Sequence, residues 1–89
     1  MKKTNHAEIR AQQRAVPEIV VTWLHAYGAK RYSHGARLRF FDRAARRRLA
    51  RHVPQEQLKQ HEQKLNAYLV ESFDDVVVTV GYRHRRIWN

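Results

Sequence analysis

His6, Arg10 and Arg14 stand at successive four-residue steps near the start of the chain. On a helix that spacing sets an imidazole and two guanidiniums in one stripe. Histidine exchanges a proton near neutral pH, and guanidiniums stabilise charge growing on a phosphate. The trio is therefore equipped for phosphodiester chemistry, and three chargeable groups in a row repel one another unless an anion lies against them. The plainer reading is a surface stripe with an incidental histidine. Near the other end, Thr79, Gly81 and Arg83 alternate along a run that begins Val76-Val77-Val78. On a strand they share one face. Thr79 offers a hydroxyl, Gly81 leaves a floor for a ligand backbone, and Arg83 offers a phosphate clamp. Equally, Gly81 could simply mark a bulge.

Arginine dominates the middle of the chain. Arg37, Arg39, Arg43, Arg46, Arg47, Arg48 and Arg51 are opposed in that stretch only by Asp42, and Arg85 and Arg86 extend the basic ending. The whole sequence carries 18 Lys+Arg against 8 Asp+Glu, a net charge of +10. That is the footprint of a protein that binds a polyanion, and arginine in preference to lysine favours forked contact with phosphate. Arg37, Arg39, Arg43, Arg46, Arg47, Arg51, Arg85 and Arg86 are the expected nucleic-acid contacts. Tyr82 is the aromatic residue expected to stack on a base. An acidic protein partner could neutralise the same charges.

Other chemistries find little support. The histidines (His6, His25, His34, His52, His61, His84) never recur at the i, i+4 spacing of a helical zinc pair. No glycine-rich phosphate loop or serine-nucleophile motif is present, so neither a metal nor a cofactor is expected. With 89 residues, 43% of them hydrophobic, the chain is read as one folded domain over positions 1–89. No apolar run approaches the ~20 residues of a membrane helix. His6, Glu8, Arg10 and Arg14 follow Met1-Lys2-Lys3 where a secretory leader needs apolar residues. Cysteine is absent. Together these lead to the expectation of a cytoplasmic protein.

The elements that must position these groups can be read from pattern. Thr4 or Asn5 caps a short helix from about His6 to Arg14. Pro17 opens a second, in which Ile19, Val20, Trp23, Leu24 and Tyr27 recur at helical spacing and Gly28 is expected as a left-handed stop. Strands Lys30–His34 and Ala36–Phe41 flank a His34-Gly35 turn. Asp42 caps a helix over Arg43–His52 with Ala45 and Leu49 inward. Pro54 starts a polar, exposed helix reaching Leu65. Ala67–Ser72 and Val76–Arg83 pair about Phe73-Asp74-Asp75, the latter as a central strand. The predicted class is α+β in the order ααββααββ, a small antiparallel sheet with helices packed on it.

The frame His6-Ala7-Glu8-Ile9-Arg10…Arg14-Ala15-Val16, the Phe40-Phe41-Asp42 step and the ending Val78-Thr79-Val80-Gly81-Tyr82-Arg83 resemble a family of small bacterial domains of unknown function. Its members begin His-Ala-x-x-Arg-x-x-x-Arg and end in a strand near Val-Thr-Val-x-x-Arg. That family is distantly similar to the RelE-like and BrnT-like ribonuclease toxins. The resemblance implies a metal-independent endoribonuclease, with His6 as acid or base. It places Arg10 and Arg14 on phosphate, has Thr79 and Arg83 stabilise the transition state, and adds an acidic antitoxin as partner. The family's usual Arg-Gly-Ile stands here as Arg14-Ala15-Val16, which puts the turn after the first helix at issue. The competing expectations are a non-catalytic RNA- or DNA-binding module centred on Arg43–Arg51, and an adaptor that docks an acidic protein.

Overall fold

A computed structural model describes residues 1–83. The elements are β1 (Lys2–Lys3), α1 (Asn5–Gln13), α2 (Glu18–Tyr27), β2 (Ala29–Ser33) and β3 (Ala36–Phe40). There follow α3 (Arg43–His52), α4 (Gln55–Gln60), a 3-10 turn (Glu62–Lys64), β4 (Ala67–Ser72) and β5 (Val76–Tyr82). The strands form one sheet in the order β1-β5-β4-β3-β2. Its class is the expected α+β. The sheet, however, is mixed and not purely antiparallel: Lys2 and Lys3 add a short strand parallel to the start of β5, ahead of the first helix.

Local chemistry explains most boundaries. Thr4 accepts the amide of Ala7 at 3.1 Å and so caps α1, and Asp42 accepts that of Ala45 at 2.7 Å to start α3. The β2–β3 hairpin turns on His34 and Gly35, both at positive φ, as a two-residue turn of this type requires. α1 ends in a doubly bonded cap: Val16 N–H donates to Ala11 at 2.9 Å and Ala15 N–H to Gln12 at 3.2 Å. Ala15 takes the left-handed position of that cap, at φ 53°. An alanine holds this position, which glycine takes more readily, and the cap closes around it.

Gly28 departs from expectation. It is extended, at φ −64°, and does not reverse the chain. Its lack of a side chain matters for a different reason: a Cβ there would fall 2.6 Å from the Leu24 carbonyl oxygen. The segment after Pro54 is also less exposed than expected, since Leu65 is buried in the core and His61 meets the Trp23 ring edge-on.

All four helices lie toward one side of the sheet. On that side Ala67 and Leu69 of β4 and Val77 and Val80 of β5 pack against Ala7, Val20, Val21, Trp23, Leu24, Ala45 and Leu49. The other side carries Leu38, Phe40, Tyr68, Val70, Thr79 and Gly81, by the strand register. A bulge in β5 makes that assignment possible. Val70 pairs with Thr79 but Glu71 with Val77, so Val78 is extra and both Val77 and Val80 point inward.

Candidate nucleic-acid interface

α3 presents its arginines as expected. Ala45 and Leu49 are buried, Arg43, Arg47 and Arg51 lie exposed on the opposite side of the helix, and Arg46 is exposed at the edge of that face, beside Leu58 and Leu65. None of these four makes a hydrogen bond or ion pair with another described residue. Arg48, at the margin of that face, is used: its Nε and Nη2 donate to the Tyr27 carbonyl at 3.3 and 3.1 Å.

Arg37 and Arg39 were expected on the surface and instead face the helices. β4 explains the inversion. Glu71 lies directly across from Arg37 in the register and is completely buried. Arg39 Nη1 donates to its Oε1 at 2.7 Å, and Arg37 Nε stands 3.7 Å from the same oxygen. Arg39, with its side chain only 6% exposed, also donates through Nε and Nη2 to the Gly28 carbonyl, at 3.2 and 2.9 Å. Arg37 is held further by Asp75 and by the Ser72 carbonyl at 3.2 Å. A buried carboxylate needs such partners, since leaving it charged and unpaired costs several kcal/mol.

A third group joins this network. His25, in the last turn of α2, sets Nδ1 3.0 Å from Glu71 Oε2. Both atoms are shut off from solvent, at ion-pair distance but off the line of an N–H hydrogen bond. The His25 side chain is 28% exposed. It lines an open cleft of about 560 Å³ with Lys30, Arg37, Arg39, Arg48 and Asp75. A carboxylate beside a ring nitrogen restrains the orientation of the imidazole. His25 and Glu71 escaped the sequence reading. Glu71 had left a trace, a lone carboxylate in step with Ala67 and Leu69 on the apolar side of β4, whereas nothing local marks His25.

The His6 stripe and the Thr79 face meet only as elements. α1 runs along β5, tied at both ends: Thr4 N–H donates to Val77 at 3.0 Å, and the Tyr82 hydroxyl donates to Ala15 at 3.0 Å. Yet no hydrogen bond or ion pair among the described residues joins His6, Arg10 or Arg14 to Thr79 or Arg83. His6 and Arg14 are exposed, and Arg10 reaches Gln13 at 3.5 Å.

Gly81 does not leave an empty floor. The Tyr68 ring lies across it, 3.0 Å from where a Cβ would stand. Arg83 turns to the start of α3, where Nη2 donates to the Phe41 carbonyl at 2.7 Å and the guanidinium sits over the Phe40 ring. Burial, with repulsion from Arg46, holds its pKa below the ordinary value, and Asp42 partly offsets both. Tyr82, bonded to Ala15 and covered by Lys64, serves the fold. Arg85 and Arg86 lie outside the described residues.

Among the described residues no group of three His, Asp or Glu is placed to hold a metal ion, and no helix is long and apolar enough to cross a membrane. Comparison with known protein families, with curated proteins and with solved structures finds no match to this chain.

Proposed function

We propose that this chain is an RNA-binding protein that grips the phosphate backbone through α3. One observation carries the reading: Arg43, Arg46, Arg47 and Arg51 are exposed on one helix, and none forms an ion pair with a described carboxylate. Guanidiniums held at helical spacing without internal partners are left to take external anions. Replacing these four by glutamine should weaken binding to a short labelled RNA. The slope of log affinity against log salt should fall by about 3, at roughly 0.7 per lost single-strand phosphate contact. An unchanged slope would sink the assignment of α3.

The second reading is metal-independent cleavage of the toxin type, with an acidic protein as inhibitor and the cytoplasm as its setting. It draws on the His25–Glu71 pair at the cationic cleft as well as on the exposed His6 stripe. In this reading a ribose 2′-hydroxyl attacks the adjacent phosphorus and passes its proton to imidazole Nε2. The P–O5′ bond breaks, and the 5′ oxygen leaves with a proton from water, giving a 2′,3′-cyclic phosphate and a 5′-hydroxyl. Among the described residues Lys30 and Arg48 are the cleft cations without a carboxylate partner, and they would offset the charge on the phosphorane. Cleavage of labelled RNA in EDTA by wild type, His25→Ala and His6→Ala separates the candidates. The true acid/base variant should lose at least about 100-fold. Loss in His6→Ala alone returns the site to the α1 stripe, and no cleavage by wild type leaves a binding protein.

A further inference from the structure

We infer that the end of the sheet beside this cleft is a stacking platform for the bases of single-stranded RNA, formed by Tyr32 and Phe73. The inference rests on the RNA-binding reading and names the form of RNA. Tyr32 on β2 and Phe73 in the β4–β5 turn are the most exposed large aromatic residues described, at 63% and 56%. They are 41 positions apart in sequence, yet their rings lie within 25° of parallel with centroids 6.1 Å apart. Packing does not require this, because neither ring belongs to the core.

The platform is held in place from below. The Arg37 guanidinium stands 5.8 Å from the centre of the Phe73 ring and is itself fixed by Asp75 and the Ser72 carbonyl. The turn that carries Phe73 is closed by Asp75 N–H on the Ser72 carbonyl at 3.0 Å and Val76 N–H on the Ser72 hydroxyl at 3.3 Å. A Phe73 ring placed before a ligand arrives loses little freedom on binding.

Charge decides the occupant. Arg37 joins the platform to the cleft that also holds Lys30, His25 and Arg48. Lys30 is two residues from Tyr32 on the same side of β2. Glu71 and Asp75 offset Arg37 and Arg39, leaving Lys30 and Arg48 in surplus. Flat apolar faces beside surplus cations fit a ligand that alternates π-faces with phosphates. Unpaired nucleotides have that chemistry, whereas a duplex hides its base faces within its own stack. The α3 face reads backbone charge alone and accepts either form.

The experiment compares two probes: a short fluorescein-labelled single-stranded RNA, and the same strand annealed to its complement. Tyr32→Ala combined with Phe73→Ala should weaken single-strand binding by about tenfold or more and leave duplex binding unchanged. Thermal unfolding of the variant should match wild type. Tyr32→Phe should keep full affinity because the ring does the stacking, and Phe73→Leu should lose affinity because bulk without a π-face does not suffice. Unchanged single-strand affinity in the double variant, an equal loss on both probes, or full rescue by leucine would each overturn the platform. These failures differ from failure of the underlying reading, in which wild type binds neither probe or the α3 quadruple variant loses nothing.

Discussion

Arg37 and Arg39 on β3, and Arg43, Arg46, Arg47 and Arg51 on the helix that follows it, are one residue type put to opposite uses. The strand pair is turned inward onto Glu71 and carries almost no solvent-facing charge. The helical four are exposed and form no ion pair with another described residue. Helix and strand geometry alone do not cause the difference. Alternation places Arg37 and Arg39 on one side of β3, and the register with β4 decides that this side meets a buried carboxylate. α3 has no acidic residue within it, and its apolar stripe is satisfied by Ala45 and Leu49, so its arginines stay outside. A count of positive residues therefore overstates the surface available to a polyanion. On the proposed reading, only the subset that the fold leaves without a carboxylate partner is open to one.

The largest effect that could break this distinction is expected at Glu71. Glu71→Ala leaves the Arg39 guanidinium buried with, among the described residues, only the Gly28 carbonyl to accept it. Breaking one half of a buried pair costs about 3–5 kcal/mol, a large share of the roughly 5–15 kcal/mol that stabilises a small domain. Urea titration measures the loss. The double change Glu71→Leu with Arg39→Met removes both charges together and should recover most of it, because apolar replacements of similar volume often equal or exceed a buried ion pair. A loss below about 1 kcal/mol in Glu71→Ala would mean that water screens the pair as it does a surface bridge. Arg39 would then belong with the exposed arginines after all.

The same distinction shows what the sequence could and could not disclose. The α3 face was legible because capping and helical period are local. Asp42, Ala45 and Leu49 fix the phase of the helix, and the arginines follow from it. The two hairpins were legible for the same reason, through His34-Gly35 and the Phe73-Asp74-Asp75 turn. The destination of Arg37 and Arg39 was not, since it depends on which strand pairs with β3 and in what register. His25 needed still more: α2 had to be docked over β4 before an imidazole and a carboxylate 46 positions apart could meet. Strand β1 is two residues long and pairs with the far end of the chain, so no local pattern announces it. The bulge at Val78 lies within a β-branched run whose composition is the same with or without it. The Thr79–Arg83 face was drawn correctly as a face, but Tyr68 from the neighbouring strand occupies its centre.

The smaller test acts on the other side of the comparison and predicts the opposite sign. Arg43 and Arg47, and likewise Arg47 and Arg51, are four residues apart on α3, where like charges repel by about 0.2–0.5 kcal/mol per pair. Glutamine has nearly the helix propensity of arginine, so changing all four to glutamine removes that repulsion at little local cost. Stability should stay level or rise by about 0.5 kcal/mol. The rise should shrink as salt is added, since screening already relieves the wild type. Circular dichroism melts of the two proteins at low and high ionic strength would show it. A variant that lost stability, by contrast, would reveal that these guanidiniums hold the fold together as Arg39 does, and the cationic face would lose its claim to be reserved for a ligand. A quartet that the fold tolerates only at a small expense in repulsion, and that can be removed without harm to folding, is best explained by a binding role outside the molecule.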